Sequence, residues 1–157
     1  LKEEYMTYIK IKNKTSFNVD FLKEYVKYLK PYFHLVDKSL YPFQITVVKK
    51  KDKKDLSYID SETSKLILKY SPVLQSKEDI SFVFLHEFCH FLSFNNKELF
   101  KVSFSKENEI VEKILEKSNL SNKYDFHDAY SYEVAANFFA TLIMGKFYKR
   151  HHLNNKQ

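Results

Sequence analysis

The chain has 157 residues, a mass of 18.9 kDa and a formal net charge of +6. Hydrophobic residues make up 44%, and Phe and Tyr supply all of the 17% aromatic content, enough apolar matter for one domain over 1–157 with its own core. No apolar run approaches the ~20 residues of a membrane-spanning helix, no secretory signal pattern opens the chain, and the start at Leu1 reads as a trimmed or engineered end.

Cys89 is the only cysteine, so no internal disulfide can form and a cytoplasmic location is expected. Arg150 is the only arginine among many lysines. Arg is the residue suited to bidentate phosphate and base contacts, so direct nucleic-acid binding is not expected. Gly145 is the only glycine, which removes the glycine-rich phosphate cradles of common nucleotide sites.

In chain order, Tyr5 to Ile11 alternates weakly and reads as a strand or an extended lead-in. Asn18 or Ser16 can cap a helix reaching about Lys30, with Phe21, Leu22, Tyr25, Val26 and Leu29 on one face and Pro31 at its end. Three strand-like runs follow, Phe43 to Val48, Leu56 to Ile59 and Lys65 to Tyr70. The basic cluster Lys49-Lys50-Lys51-Asp52-Lys53-Lys54 falls between the first two and reads as a solvated hairpin loop, with an acidic partner as the alternative. Ser76, with Asp79 three residues on, marks the start of a helix running to about Phe94 and ended by Asn95-Asn96. A charged amphipathic helix is expected over 106–117, a polar loop from Ser118 to Phe126, a last helix from about Asp128 to Tyr148, and a frayed tail over 149–157.

His86-Glu87-Phe88-Cys89-His90 lies inside the Lys77 helix and reads H-E-x-x-H. Residues four apart share a helix face, so both imidazoles can reach one metal ion, with Glu87 beside it as a proton acceptor. Chance alone would place this pattern in roughly 2% of chains of this composition. The flanks, Phe82-Val83-Phe84-Leu85 and Phe91-Leu92-Ser93-Phe94, make the helix apolar nearly all round and therefore buried. Two His and one Glu buried without partners would cost several kcal/mol, and metal ligation is the simplest compensation. Cys89 reads as a small apolar filler, with a thiolate ligand as the alternative.

Zinc needs a third protein ligand. Ser93 and Asn96 occupy the later positions of a metzincin motif, which excludes that class. Among the downstream acids, Glu133 alone sits in an otherwise apolar helical stretch, where an isolated acid needs a partner. Ala136 and Ala140 are small enough to let that helix approach the first closely.

Residues 60–146 resemble the ImmA/IrrE-type zinc metallopeptidases of bacteria, phages and mobile elements. That family typically shows a strand, a short acidic linker and an apolar run ending in H-E-L-G-H, matched here by Lys65 to Tyr70, Ser71 to Ile80 and Ser81 to His90. Its E-x-x-A-N-x-F-A-x-x-L-L-M-P segment is matched by Glu133, Ala136-Asn137 and Phe139-Ala140, with Leu142-Ile143-Met144 following one position earlier than its L-L-M. Cys89 stands where Gly is usual, and Gly145 where Pro is usual. The 43 positions from His90 to Glu133 exceed expectation, so 95–127 reads as an insertion. No helix-turn-helix pattern is read within these 157 residues.

The resemblance implies an α+β, zincin-like domain. A small three-stranded sheet would pack on the N-terminal helix, the H-E-x-x-H helix and a glutamate-bearing C-terminal helix. It implies a gluzincin-type zinc endopeptidase with one Zn2+ on His86, His90 and Glu133, and Glu87 as general base. His127, Tyr130 and Tyr132 are candidates for a second donor to the oxyanion, and Asn137 for a partner of a ligand. The implied partner is a protein substrate, such as a transcriptional repressor. The rival readings are a metal-binding protein that sequesters a repressor without cutting it, and a phage or mobile-element effector acting on a host protein.

Overall fold

The computed structural model describes residues 8–60, 63–96 and 123–155, with side chains of the last helix over 133–150. The strands are β1 (Ile9–Asn13), β2 (Phe43–Lys49), β3 (Tyr58–Asp60) and β4 (Lys65–Tyr70), and the α-helices are α1 (Lys23–Leu29), α2 (Lys77–Asn95) and α3 (Lys123–Asn155). The protein is therefore α+β, with one sheet in the order β1-β2-β4-β3.

Three of these strands match the alternating runs, but the sheet has four, not three. Ile9–Asn13 pairs parallel with β2, Ile9 opposite Phe43 and Ile11 opposite Ile45. Within it Ile9 and Ile11 alternate with Lys10 and Lys12, so of the two readings of the Tyr5 to Ile11 run the strand is the one that fits. The 49–54 cluster is not a hairpin loop either. β4 runs parallel to β2 and separates it from β3, which pairs antiparallel with β4. Alternation marks where a strand lies but not which strand it pairs with.

Nor is that cluster simply solvated. Lys50 is buried, with its Nζ donating to the Asp55 carbonyl at 2.6 Å. The Asp55 carboxylate accepts from the Lys51 N–H at 3.0 Å and pairs with Lys69 Nζ at 3.3 Å. These bonds hold the Asp55 carboxyl below its ordinary pKa, the Lys51 N–H first among them.

The N-terminal helix is shorter and more broken than expected. A 3-10 turn at Asp20–Leu22 leads into α1, and a second 3-10 stretch, Lys30–Leu35, follows it. Asn18 bonds the Asp20 N–H at 2.9 Å. Pro31 ends the α-helix but is tolerated in the first turn of the 3-10 stretch, where no N–H is needed. The last helix is longer than expected: 123–126 and 149–155 are helical, so neither the end of the expected loop nor most of the expected tail is irregular. The helix expected over 106–117 lies outside the described residues.

The core lies on one face of the sheet. Phe43, Ile45, Val47, Leu66 and Leu68 are fully buried there. Phe43 meets Phe88 and Phe91 of α2 at ring distances of 5.4 and 4.8 Å. α3 packs on α2 and on α1, where Tyr25 meets Phe147 at 4.4 Å. Among the described residues no helix is long and apolar enough to cross a membrane.

Candidate metal centre

α2 starts where sequence chemistry places it. The Ser76 side chain accepts from the Asp79 N–H at 3.0 Å, and the Asp79 carboxylate accepts from the Ser76 N–H at 3.1 Å. This reciprocal cap satisfies two of the helix's orphan donors and sets the phase in which every later side chain points. Ile80, Phe84, Leu85, Phe88, Phe91 and Leu92 then enter the core. His86 and His90, one turn apart, point together along the α3 side of the helix, their ring centroids 4.6 Å apart.

α3 approaches because Ala136 and Ala140 are fully buried against its neighbours. Glu133 lies one turn before Asn137 on that helix. Its Oε1 is 2.7 Å from His90 Nε2, and its Oε2 is 2.9 Å from His86 Nε2. The two Nε2 atoms are 3.0 Å apart, and ligand atoms from all three residues lie within 4.8 Å of one another. Glu133 itself stays about half exposed, at 51%. Burial of a lone acid is thus not what joins it to the histidines; its position on the helix is.

The polarity of the group favours a cation. Asn137 Oδ1 lies 2.8 Å from His86 Nδ1, and an amide oxygen only accepts, so the contact suits an Nδ1–H donor. With Nδ1 turned to Asn137, Nε2 is the ring atom that faces His90 and Glu133. Burial lowers the pKa of His90, though the Glu133 carboxylate opposes the shift, so that ring favours its neutral, electron-pair-donating form. His90 Nδ1 is buried without a hydrogen-bond partner among the described residues. Two imidazole nitrogens and a carboxylate converging on one point match the donor types and number of a three-ligand zinc site.

Glu87 belongs to no ligand pair. It is half-buried, and burial raises its carboxyl pKa. The His86 ring beside it opposes that shift and the Glu133 carboxylate adds to it. Comparison with family models, with characterised proteins and with solved structures found no match.

The other expected residues divide cleanly. Asn137 bonds His86, as the helix spacing from Glu133 allows. His127, Tyr130 and Tyr132 are on α3, but their side chains lie outside the described residues. Cys89 is buried with Sγ 3.9 Å from the Ala135 carbonyl, and burial pushes its thiol well up, so the filler reading holds over the thiolate one. Two residues that sequence reasoning did not single out frame the group. Phe94 stacks on His90 at 5.7 Å and 16°, and Phe82 faces His86 at 6.2 Å. Their four-residue offsets from the histidines are the signal that the sequence carries for them.

Proposed function

We propose that this chain is a zinc-dependent peptidase of the gluzincin type, related to the ImmA/IrrE group that its motifs resemble, acting on one or few protein substrates such as a repressor. The observation that carries the reading is the convergence of His86 Nε2, His90 Nε2 and Glu133 on one point from two helices. A zinc ion held by these three would supply Lewis acidity and a polarised water.

The chain's own residues do the rest. Asn137 orients the His86 ring so that Nε2 faces the other two donors. The apolar walls of Phe82 and Phe94 limit solvent beside the histidines. Glu87 stands next to His86 without being spent as a ligand. Its raised carboxyl pKa makes it a stronger base than an exposed glutamate, suited to take a proton from the attacking water and pass it to the leaving amine.

Two variants test this reading. Purified protein should hold about one zinc per chain, and Glu133→Ala should lose most of it. Glu87→Gln should keep the zinc while cleavage of a candidate repressor falls by ~10²-fold or more. Equal cleavage by wild type and Glu87→Gln at equal zinc content would remove Glu87 from the mechanism. Zinc binding and repressor binding without cleavage by either form would point instead to the sequestering role.

A further inference from the structure

The sheet has a second face, and it is built differently from the first. By the strand alternation, β1 presents Lys10 and Lys12 there, β2 presents Gln44, Thr46 and Val48, β4 presents Lys65, Ile67 and Lys69, and β3 presents Tyr58 and Asp60. All of these residues are exposed or half-exposed, whereas Ile9, Phe43, Ile45, Val47, Leu66, Leu68 and Tyr70 on the other face are buried. β1, β2 and β4 run parallel, and parallel strands are ordinarily covered on both faces.

The register sorts this face into two zones. Lys12, Thr46, Ile67 and Tyr58 stand level across the four strands. Val48 stands beside Lys69 one step on. Leu56, two residues before Tyr58, is 70% exposed, and Tyr58 is 56% exposed. The β2-β4-β3 side is the zone that holds the apolar side chains Val48, Ile67 and Tyr58, interleaved with Lys65 and Lys69, with Asp60 opposite Lys65 and the exposed Leu56 just before β3. Further positive charge lies beside it. Lys10 and Lys12 line the β1 edge, and exposed Lys51, Lys53 and Lys54 rim the end where β2 leaves the sheet. The buried Lys50 and the Asp55 bonds hold that rim in place. Asp55 already pairs with Lys69, so the rim's excess charge is positive.

We propose that this face, open among the described residues, docks an acidic amphipathic helix of a partner protein, its apolar stripe on Ile67, Tyr58, Val48 and Leu56 and its acidic flank along Lys10 and Lys12. Four strands spaced about 4.8 Å apart give a width that admits one helix about 10 Å across. Charge complementarity selects an acidic partner. The apolar patch favours protein over nucleic acid, since a phosphate backbone gains nothing from Ile67 or Val48 and only one aromatic ring, Tyr58, is offered for stacking. The surface is on the opposite side of the sheet from α2, so the inference does not depend on the metal reading.

The probe is a fluorescein-labelled helical peptide of about 14 residues, with leucines at i, i+3, i+4 and i+7 and glutamates on both flanks. Its binding to the full chain is followed by anisotropy at ~0.15 M salt. A second peptide keeps the glutamates but carries glutamine for each leucine, and a third probe is a thymidine oligonucleotide of similar charge. The leucine peptide should bind at least about tenfold more tightly than either control. Lys10→Glu with Lys12→Glu should weaken it by about tenfold, and Ile67→Thr with Tyr58→Ser by about fivefold, with circular dichroism unchanged. Equal binding of both peptides, tighter binding of the oligonucleotide, or wild-type affinity in both double variants would each overturn the proposal, as would failure of the leucine peptide to bind.

Discussion

Two regions of this molecule bury ionisable groups, and they do so in opposite ways. In the turn after β2, Lys50 is buried, and its partner is the carbonyl of Asp55, five residues away. In the centre between α2 and α3, His86 and His90 meet Glu133, more than forty positions away, and His86 also meets Asn137. The turn satisfies its own charge with its own main chain, which is what a structural feature does. The helical pair gathers two imidazoles and a carboxylate from distant segments, with ligand atoms of all three within 4.8 Å of one another, a group that could hold a metal ion.

The largest expected effect breaks the centre. If a metal joins α2 to α3, it stabilises only the folded state. Chelation of zinc-loaded protein should cost roughly 2.7 kcal/mol relative to a zinc concentration of a hundred times Kd, a fall of about 5–10 °C in Tm. His86→Ala should show no such response. A melting curve unmoved by verified zinc removal would mean that the helices are held by packing alone.

A smaller effect sharpens the difference between the two histidines. Asn137→Ala removes the acceptor that orients His86, and zinc affinity should fall by about tenfold in a competitive chelator titration. Asn137→Asp, which keeps the acceptor, should recover it. Equal affinity for Ala and Asn at this position would reduce the 2.8 Å contact to helix packing.

The turn should respond in stability and not in metal. Lys50→Met leaves the Asp55 carbonyl without its buried donor and should cost about 1–2 kcal/mol in urea unfolding, with zinc content unchanged. Loss of zinc in this variant would break the separation of the two regions. The smallest effect is one of pH. The Asp55 carboxyl titrates below its ordinary value of 3.8 in the folded chain, so its contribution is present above that pH and is lost as pH falls through the lower folded value. Asp55→Asn should therefore be slightly less stable than wild type at neutral pH, and the gap should close in acid. A gap that persists at about pH 2 would show that the side chain's shape, not its charge, holds the turn.

Residues whose roles depend on near neighbours are legible in the sequence. Ser76 and Asp79 start α2 because their bonds span three residues. His86 and His90 share a face because about 3.6 residues make a turn. Lys65–Tyr70 alternates because one face is buried. The sequence misleads where the deciding contact is remote. The run at β1 reads as a strand or an extended lead-in, and only its parallel pairing with β2 decides for the strand. Lys50 looks solvated because a run of lysines usually is, yet this one turns inward to a carbonyl.

The chain by itself determined the donor types, their spacing on α2 and the small residues at 136 and 140 that allow α3 close. Those are matters of local geometry and side-chain size, and both are written in the residue order. Only the tertiary structure decided that Glu133 reaches both rings while Glu87 does not join them, that Asn137 serves His86 and not His90, and that the lysines of β1 share a face with Ile67 and Tyr58. Such outcomes depend on the rotation of one helix against another and on strand order, which are set by the packing of the whole core.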